Sequence, residues 1–530
     1  MIDCNTASRS ALAGMLRDFG VGRITQAARA QDGRRLIEKL HFDIVVCDYV
    51  FDGEPINGQD LMDDLRAAAL LPLSTVVIMI SAEAGHTRVA EAAEAALDAY
   101  LIKPHTADAL RQRLLEARLR KLALRDVFDL VDRDEHLLAA QLCQERFESR
   151  GPAWLHAARI GAELWLRLGL PGQAQALFDA ILKVGALPWA RLGIARSQHE
   201  SGNLGQARRT LESLLNEQPG YTDAYDVMSR VLLDQGLPDQ ALMACREAAA
   251  RTPGSVSRAV KLGLLAFYHG KPAEAAKVLG DAVRRGLNSK AFDLQGLVLL
   301  AVLQFDSGDS RGLAQSWRGV VAAHAAAPAS NRLRRLEGVV ATLKLLVDRR
   351  VADSIAQIRQ LVSEAREPTF DFEAACNVLT VLSRLSRDEV HLGDIHDDVR
   401  VLALRFAVSR TTCELLVRAG LADGSLAPII RAAYADVCAD AELAVSKTVE
   451  SRPAEAVRSL LASAERSLNG KLMDLAQHTL DRHADAIGPG LVLQELRDQI
   501  QSINQRFRSY GTQVLLDGSA GRTLASLAKA

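Results

Sequence analysis

Aromatic residues make up only 5% of the chain, and no apolar run approaches the ~18–20 residues that a membrane-spanning helix needs. The seven cysteines (Cys4, Cys47, Cys143, Cys245, Cys376, Cys413, Cys438) are odd in number and widely spread, with no CxxC pair and no histidine at finger spacing. That distribution argues against a disulfide framework and against structural zinc, and the thiols read as small core residues in a reducing cytoplasm. The amino terminus lacks the basic, apolar and small-residue succession of a secretory signal. Neither charge is in excess: 64 Lys and Arg face 65 Asp and Glu, for a net charge of −1. Nucleic acid and anionic membrane are therefore not default partners. GxxxxGK[ST], G-x-S-x-G and a tight helix-turn-helix pattern are also missing.

What is present is ordinary folding material. Of 530 residues, 48% are hydrophobic and 24% charged, enough for several domains or for one domain and an array. Over the first 120 residues the apolar runs Ile44–Cys47, Val76–Ile80 and Tyr100–Ile102 read as buried parallel strands, with Ile24–Ala27 a weaker fourth. Helical spacing is expected over Ser8–Phe19, Asp32–His41, Gln59–Ala69, His86–Ala96 and Thr106–Leu119. Such alternation predicts a doubly wound parallel sheet, whose ligand site lies at the carboxyl ends of its strands.

Four polar residues fall at those ends: Asp3 after Met1-Ile2, Asp48, Ser81 and Lys103. Carboxylates can hold a divalent cation, while a hydroxyl and an ammonium can hold anionic oxygens, so the set suits a phosphoryl group. The order Asp, Asp, Ser, Lys, with Ala82 after the hydroxyl, Tyr100 before the lysine and the dipeptide Lys103-Pro104, resembles the receiver domain of bacterial two-component response regulators over roughly residues 1–120. The resemblance implies a flavodoxin-like α/β fold with Asp48 as phosphoacceptor. It implies Mg²⁺ held by Asp3, Asp48 and the main-chain carbonyl of Val50, Lys103 and Ser81 on the phosphoryl oxygens, and Tyr100 as a switch aromatic. It also implies a cis bond before Pro104, a histidine kinase or phosphotransfer protein as phosphodonor, and self-association through the Tyr100 face as a further possibility.

Two departures from the family pattern bear on activity. Cys4 stands where a second acid is usual, so Mg²⁺ affinity is expected to fall unless Asp3 or Asp52 compensates, and the loop YVFDGEPING after Asp48 runs about two residues longer than the common receiver form before its glycine, Gly58. Only Met1 and Ile2 precede Asp3, against the ~5 residues of a usual strand, so the natural start is expected a few codons upstream.

Beyond the receiver, LGLPGQAQALF, SGNLGQARRTL, DQGLPDQALMAC and YHGKPAEAAKVL align on Gly169, Gly202, Gly236 and Gly270, at spacings of 33, 34 and 34 residues. Ala174, Ala207, Ala241 and Ala275 follow each glycine by five residues, and Pro219 and Pro253 are 34 apart. With small residues Ala162, Ala195, Ser229 and Gly263 on the first helix of each pair, the pattern resembles the tetratricopeptide repeat. It implies an all-α solenoid that binds proteins. The expected division is a receiver at 1–120, connecting helices and a partial repeat at 121–154, repeats at 155–287, degenerate repeats or a helical extension at 288–510, and a frayed tail at 511–530.

Ala107 through Asp126 carries neither Gly nor Pro, so the last receiver helix is expected to run directly into the connection. The basic clusters Arg118–Lys121 and Arg332–Arg335 read as solvated helix faces, and VHLGDIHDD (His391, Asp394, His396, Asp397, Asp398) as a solvated loop or helix cap in preference to a metal site. Leu491–Tyr510 reads as an amphipathic helix that caps the array or meets a partner. The functional expectation is a cytoplasmic, non-enzymatic response regulator in which phosphorylation of Asp48 changes protein binding by the repeats. Two alternatives stay open: a pseudo-receiver on a constitutive scaffold, and a regulatory phosphatase or other enzyme in the distal helices.

Overall fold

Burial of short β-branched runs organises the amino-terminal part. The computed structural model describes residues 1–54, 56–68, 70–72, 74–81, 98–287, 292–387, 395–488 and 490–507. Three parallel strands form one sheet in the order β1 (Ile44–Asp48), β2 (Val76–Ser81), β3 (Ala99–Ile102). Ile2 bridges Cys47 on one side and Ala27 on the other, so the short run at Met1-Ile2 and the weaker run at Ile24–Ala27 contribute isolated bridges.

Alternate side chains leave a strand on opposite faces, and both faces are covered. On one, Val45, Cys47, Val77 and Met79 pack with Ile37, Leu61, Met62 and Leu65 of the helices Ala30–Lys39 and Gly58–Ala67. On the other, Val46, Val76, Ile78 and Ile80 pack with Leu12, Leu16, Leu110 and Leu114 of the helices Thr6–Asp18 and Ala107–Ala123. This is the doubly wound sheet that the sequence predicts. Ala82 and the helix expected over His86–Ala96 lie outside the described residues.

The described residues divide into two units, the first holding Met1–Leu262 with Phe292 and the second Gly263–Leu287 with the described residues from Asp293 onward. Within the first, the last receiver helix stops at Ala123. Leu124 leaves helical geometry at φ −106°, ψ 10°, and Arg125–Asp132 starts a new helix. The expected continuous helix is thus interrupted without Gly or Pro, because Leu124 and Phe128 are drawn into an apolar cluster with Cys143, Ala158 and Trp165. The cluster Arg118–Lys121 is also not a purely solvated face: Lys121 lies 3.2 Å from the Asp98 carboxylate, and Arg120 donates to the Asp98 carbonyl.

Helix pairs then follow one after another: Arg125–Asp132 with His136–Glu148, Trp154–Arg167 with Pro171–Leu182, Pro188–Glu200 with Leu204–Glu217, and Thr222–Asp234 with Pro238–Arg251. One turn joins each pair. At Gly202 (φ +76°) the amide donates to the His199 carbonyl at 2.9 Å, and the next amide, of Asn203, reaches back to Gln198 at 2.8 Å. This doubly bonded left-handed turn closes a helix and satisfies its orphan carbonyls. The same pair of bonds recurs at Gly169, Gly236, Gly270 and Gly308, and with non-glycine residues at Asp134, Arg349 and Ser451. Five residues beyond each of these turns the side chain is buried: Ala139, Ala174, Ala207, Ala241, Ala275, Leu313, Ser354 and Ala456. There the second helix crosses the first, which is why small residues dominate the position.

The second unit continues with helix pairs such as Gln295–Asp306 with Ser310–Ala326 and Asn331–Val347 with Val351–Ser363. Its cores include Val437, Val457, Leu460, Leu472, Leu480 and Leu496. The cluster Arg332–Arg335 is a correction to the sequence reading. Arg332 bridges Asp293 at 2.5 Å and Glu373 at 2.8 Å, and Arg335, only 4% exposed, bonds Glu364 at 2.7 Å and Glu367 at 2.8 Å. Buried guanidiniums require carboxylate partners, and those partners sit up to 41 residues away, where a local pattern does not show them. Of VHLGDIHDD, the residues through Asp394 lie outside the described set, and Asp397 and Asp398 stand in the first turn of the helix Ile395–Phe406, where negative charge favours a helix start. The last described helix is Leu491–Phe507.

Gly202→Ala meets no neighbouring atom, so its effect is conformational: a Cβ in the left-handed region should cost about 1–2 kcal/mol. Ser451→Gly should move stability the other way by less, since the extra freedom of glycine in the unfolded chain offsets about 0.5–1 kcal/mol. Urea unfolding followed by helical circular dichroism checks both signs; a Gly202→Ala protein as stable as the parent would contradict the turn.

Candidate functional site

The parallel register brings the expected polar residues to one sheet edge. Asp48 ends β1 opposite Ile80, Ser81 ends β2 opposite Ile102, and Lys103 follows β3 at once. The Lys103-Pro104 bond is cis. Asp3 leaves the Ile2 bridge beside them, its amide bonded to the Ala27 carbonyl at 3.1 Å. Lys103 Nζ lies 2.5 Å from Asp48 Oδ2 and 3.3 Å from Asp3 Oδ2. Ser81 is fully buried at the same edge.

Two carboxylates, 2% and 7% exposed, thus share one ammonium. For Asp48, burial raises the carboxyl pKa above its ordinary value, and the hydrogen bond and charge of Lys103 only partly oppose the rise. For Lys103, burial alone would lower the value, but Asp48 and then Asp3 raise it, so the amine stays charged. The cluster is a preformed charged cradle from which water is largely removed, where added oxyanion charge is felt strongly.

Sequence reasoning missed the residues that hold Asp3. Its Oδ1 accepts from the Asn5 amide at 2.7 Å and its Oδ2 from Ser8 Oγ at 2.6 Å, while Arg9 donates to the Asp3 and Cys4 carbonyls at 2.6 and 3.0 Å. The available signal was Asn5, which caps the helix Thr6–Asp18 by accepting from the Ser8 amide at 3.0 Å. Gly58 is a second case. Its amide donates to the Tyr49 carbonyl at 2.8 Å, and a Cβ there would lie 2.1 Å from the Asp48 carbonyl oxygen, so the loop after Asp48 closes only on glycine.

Cys4 occupies the strand end where an acid was expected. Its Sγ lies 3.9 Å from the Val50 carbonyl oxygen and 3.8 Å from Asp52 Oδ2, so the Val50 carbonyl and the Asp52 carboxylate converge on that position. Mg²⁺ prefers oxygen donors and retains several waters, and Asp3, Asp48 and the Val50 carbonyl form a donor set of that kind. Among the described residues no group of three or more His, Cys, Asp or Glu side chains is arranged as a metal cage. The Tyr100 ring is half-buried against the sheet core, its hydroxyl buried and without a hydrogen-bond partner among the described residues.

The response regulator receiver domain family matches residues 1–115. The chemotaxis protein CheY of Pseudomonas aeruginosa is 33% identical over 117 residues, 22% of this chain and 90% of that protein. Chemotaxis protein CheY-3 of Vibrio cholerae is 32% identical over 114 residues, 22% of this chain and 85% of its own length. A solved tetratricopeptide repeat protein of Thermus thermophilus is 25% identical, with 33% of this chain and 92% of that chain covered at a TM-score of 0.27. The tetratricopeptide-type architecture stands on the recurring helix pair and its turn. No described helix is long and apolar enough to cross a membrane.

Lys103→Met should destabilise the receiver by ~3 kcal/mol, the low end for breaking a buried pair, since the amine is one-quarter exposed. Adding Asp48→Asn should recover part of the loss by removing the stranded charge. Urea unfolding of the two single variants and the double variant measures the coupling; strictly additive losses would mean that the two side chains do not interact.

Proposed function

Because the chain belongs to the response regulator receiver family through its residues 1–115, we propose that it is a two-component response regulator whose Asp48 accepts a phosphoryl group and whose repeats bind a protein. The observation that carries this reading is the contact of Lys103 with both Asp48 and Asp3 at one sheet edge. A carboxylate oxygen of Asp48 attacks the phosphorus of a phosphohistidine on a histidine kinase or phosphotransfer protein; the O–P bond forms as the N–P bond breaks. Lys103 turns its ammonium from the free carboxylate to the phosphoryl oxygens, Ser81 donates to another, and Tyr100 follows Ser81 as the switch aromatic.

Receivers in general bind Mg²⁺ at this site. Here Asp3, Asp48 and the Val50 carbonyl are the residues to hold it, with Asp52 replacing part of the charge that Cys4 does not carry. When bound, the cation neutralises oxyanion charge. The protein acts without turnover chemistry beyond phosphoryl acceptance and loss, in the cytoplasm, through a receiver at 1–120 and the repeats that follow. A concave helical surface suits an extended peptide or a helix of the partner. Receiver pairing through the Tyr100 face is a further element of the proposal.

The presence of Cys4 favours a second reading, a pseudo-receiver that holds the closed Lys103–Asp48 pair permanently. Acetyl phosphate with Mg²⁺ separates the two. Full-length protein should gain one phosphoryl group in intact-mass analysis, and Asp48→Asn should gain none. A wild-type protein that gains no mass, and whose melting temperature does not move with beryllofluoride and Mg²⁺, is a pseudo-receiver.

A further inference from the structure

Pro219 and Pro253 mark equivalent turns between successive repeats, yet the two turns differ in burial. Gly220 is exposed and Tyr221 and Thr222 are half-buried, whereas Gly254, Ser255 and Val256, 34 residues later, are all buried. Turns carry unpaired polar backbone and normally face water. At the second turn the polar group that reaches in comes from the receiver: Ser255 Oγ donates to Asp64 Oδ1 at 3.2 Å, across 191 residues of sequence. The same hydroxyl accepts from the Arg258 amide at 3.3 Å, so it caps the next helix and grips the receiver together.

The receiver side is equally specific. Asp60 and Asp64 lie one turn apart on the helix Gly58–Ala67 and are 2% and 3% exposed. Like charges at that spacing repel, so their burial depends on cations. Arg34 of the receiver holds Asp64 at 3.0 Å. Arg258 of the repeats bonds Asp226 at 2.9 Å and Asp223 at 2.5 Å and also acts on Asp60. Burial lifts the Asp60 carboxyl to about 6, with Arg258 opposing the rise and Asp64 adding to it; one of its oxygens is buried with no hydrogen-bond partner among the described residues. A buried carboxylate oxygen without a partner costs free energy that access to water would recover.

The phosphoacceptor is wired to it by the backbone. The loop from Asp48 to Asn57 is closed at its base by the Gly58 amide on Tyr49, Gly58 abuts the Asp48 carbonyl, and Asn57 caps the helix by accepting from the Asp60 amide at 2.8 Å. We propose that the helix Gly58–Ala67 and the turn Gly254–Arg258 form an intramolecular clasp that holds the receiver against the repeats, and that loading of Asp48 opens it. The second half of the proposal rests on phosphoryl acceptance at Asp48; the first half does not.

Ser255→Asp tests the clasp from the repeat side, because aspartate caps a helix as well as serine does but faces Asp64 with a like charge. In the full chain, amide hydrogen exchange over residues 254–258 should rise about tenfold, the population shift that losing a hydrogen bond to a charged group represents. Asp64→Asn in the Ser255→Asp background restores a donor to the pair and should reverse the rise. Unchanged exchange in Ser255→Asp overturns the clasp. Wild-type protein with beryllofluoride and Mg²⁺ should show the same rise. If beryllofluoride binds, read as a shift in melting temperature, and exchange stays slow, the clasp is static and its opening is overturned. If it does not bind, opening falls together with phosphoryl acceptance, and the Ser255→Asp arm still decides whether the clasp exists.

Discussion

Two carboxylates at the ends of neighbouring sheet elements, taken nearly out of water and given one ammonium between them, set the terms for the receiver. Asp3 and Asp48 carry two negative charges against the single positive charge of Lys103. Removing charges from water costs several kcal/mol each unless they are paired, so the edge is stable only while Lys103 spans both groups. The surrounding contacts follow from that constraint. Asn5 and Ser8 donate to Asp3, Arg9 fixes the main chain on either side of it, and Gly58 lets the next loop close against Asp48. Two carboxylates against one ammonium leave that edge one positive charge short.

The repeats solve a different problem with a single local device. A left-handed residue ends one helix, two amides reach back to its last carbonyls, and a buried residue five positions on lets the partner helix cross. Glycine supplies the device at low conformational cost at Gly169, Gly202, Gly236 and Gly270; Arg349 and Ser451 adopt it at higher cost. The periodicity visible in the sequence therefore fades near residue 308 while the structural motif goes on. What is lost first is the spacing, since the turns at Gly270, Gly308 and Arg349 lie 38 and 41 residues apart, and then the glycine itself.

The sheet, the identity of its edge residues and the repeat register were legible because each has a short-range signature: β-branched runs of strand length, a polar residue at each strand end, and glycine and alanine at fixed offsets. Three features were not. The break at Leu124 comes from burial of Leu124 and Phe128 in a cluster with residues far along the chain. Arg332 and Arg335 look like a solvated basic face until Asp293, Glu364 and Glu373 are brought to them. Asp60 and Asp64 carry no local sign of burial; Arg34, Ser255 and Arg258 close over them only in the fold.

The linear order of residues was enough to name the phosphoacceptor candidate and its helpers, because parallel strands deliver every strand-end residue to the same edge whatever else the chain does. It was enough, too, for the repeat and its period, since one turn and one crossing dictate the spacing of glycine and alanine. Which charges lie buried, and whether the receiver touches the repeats, emerged only on folding. Electrostatic pairing depends on distance in space, and no offset along the chain encodes a hydrogen bond between Asp64 and Ser255.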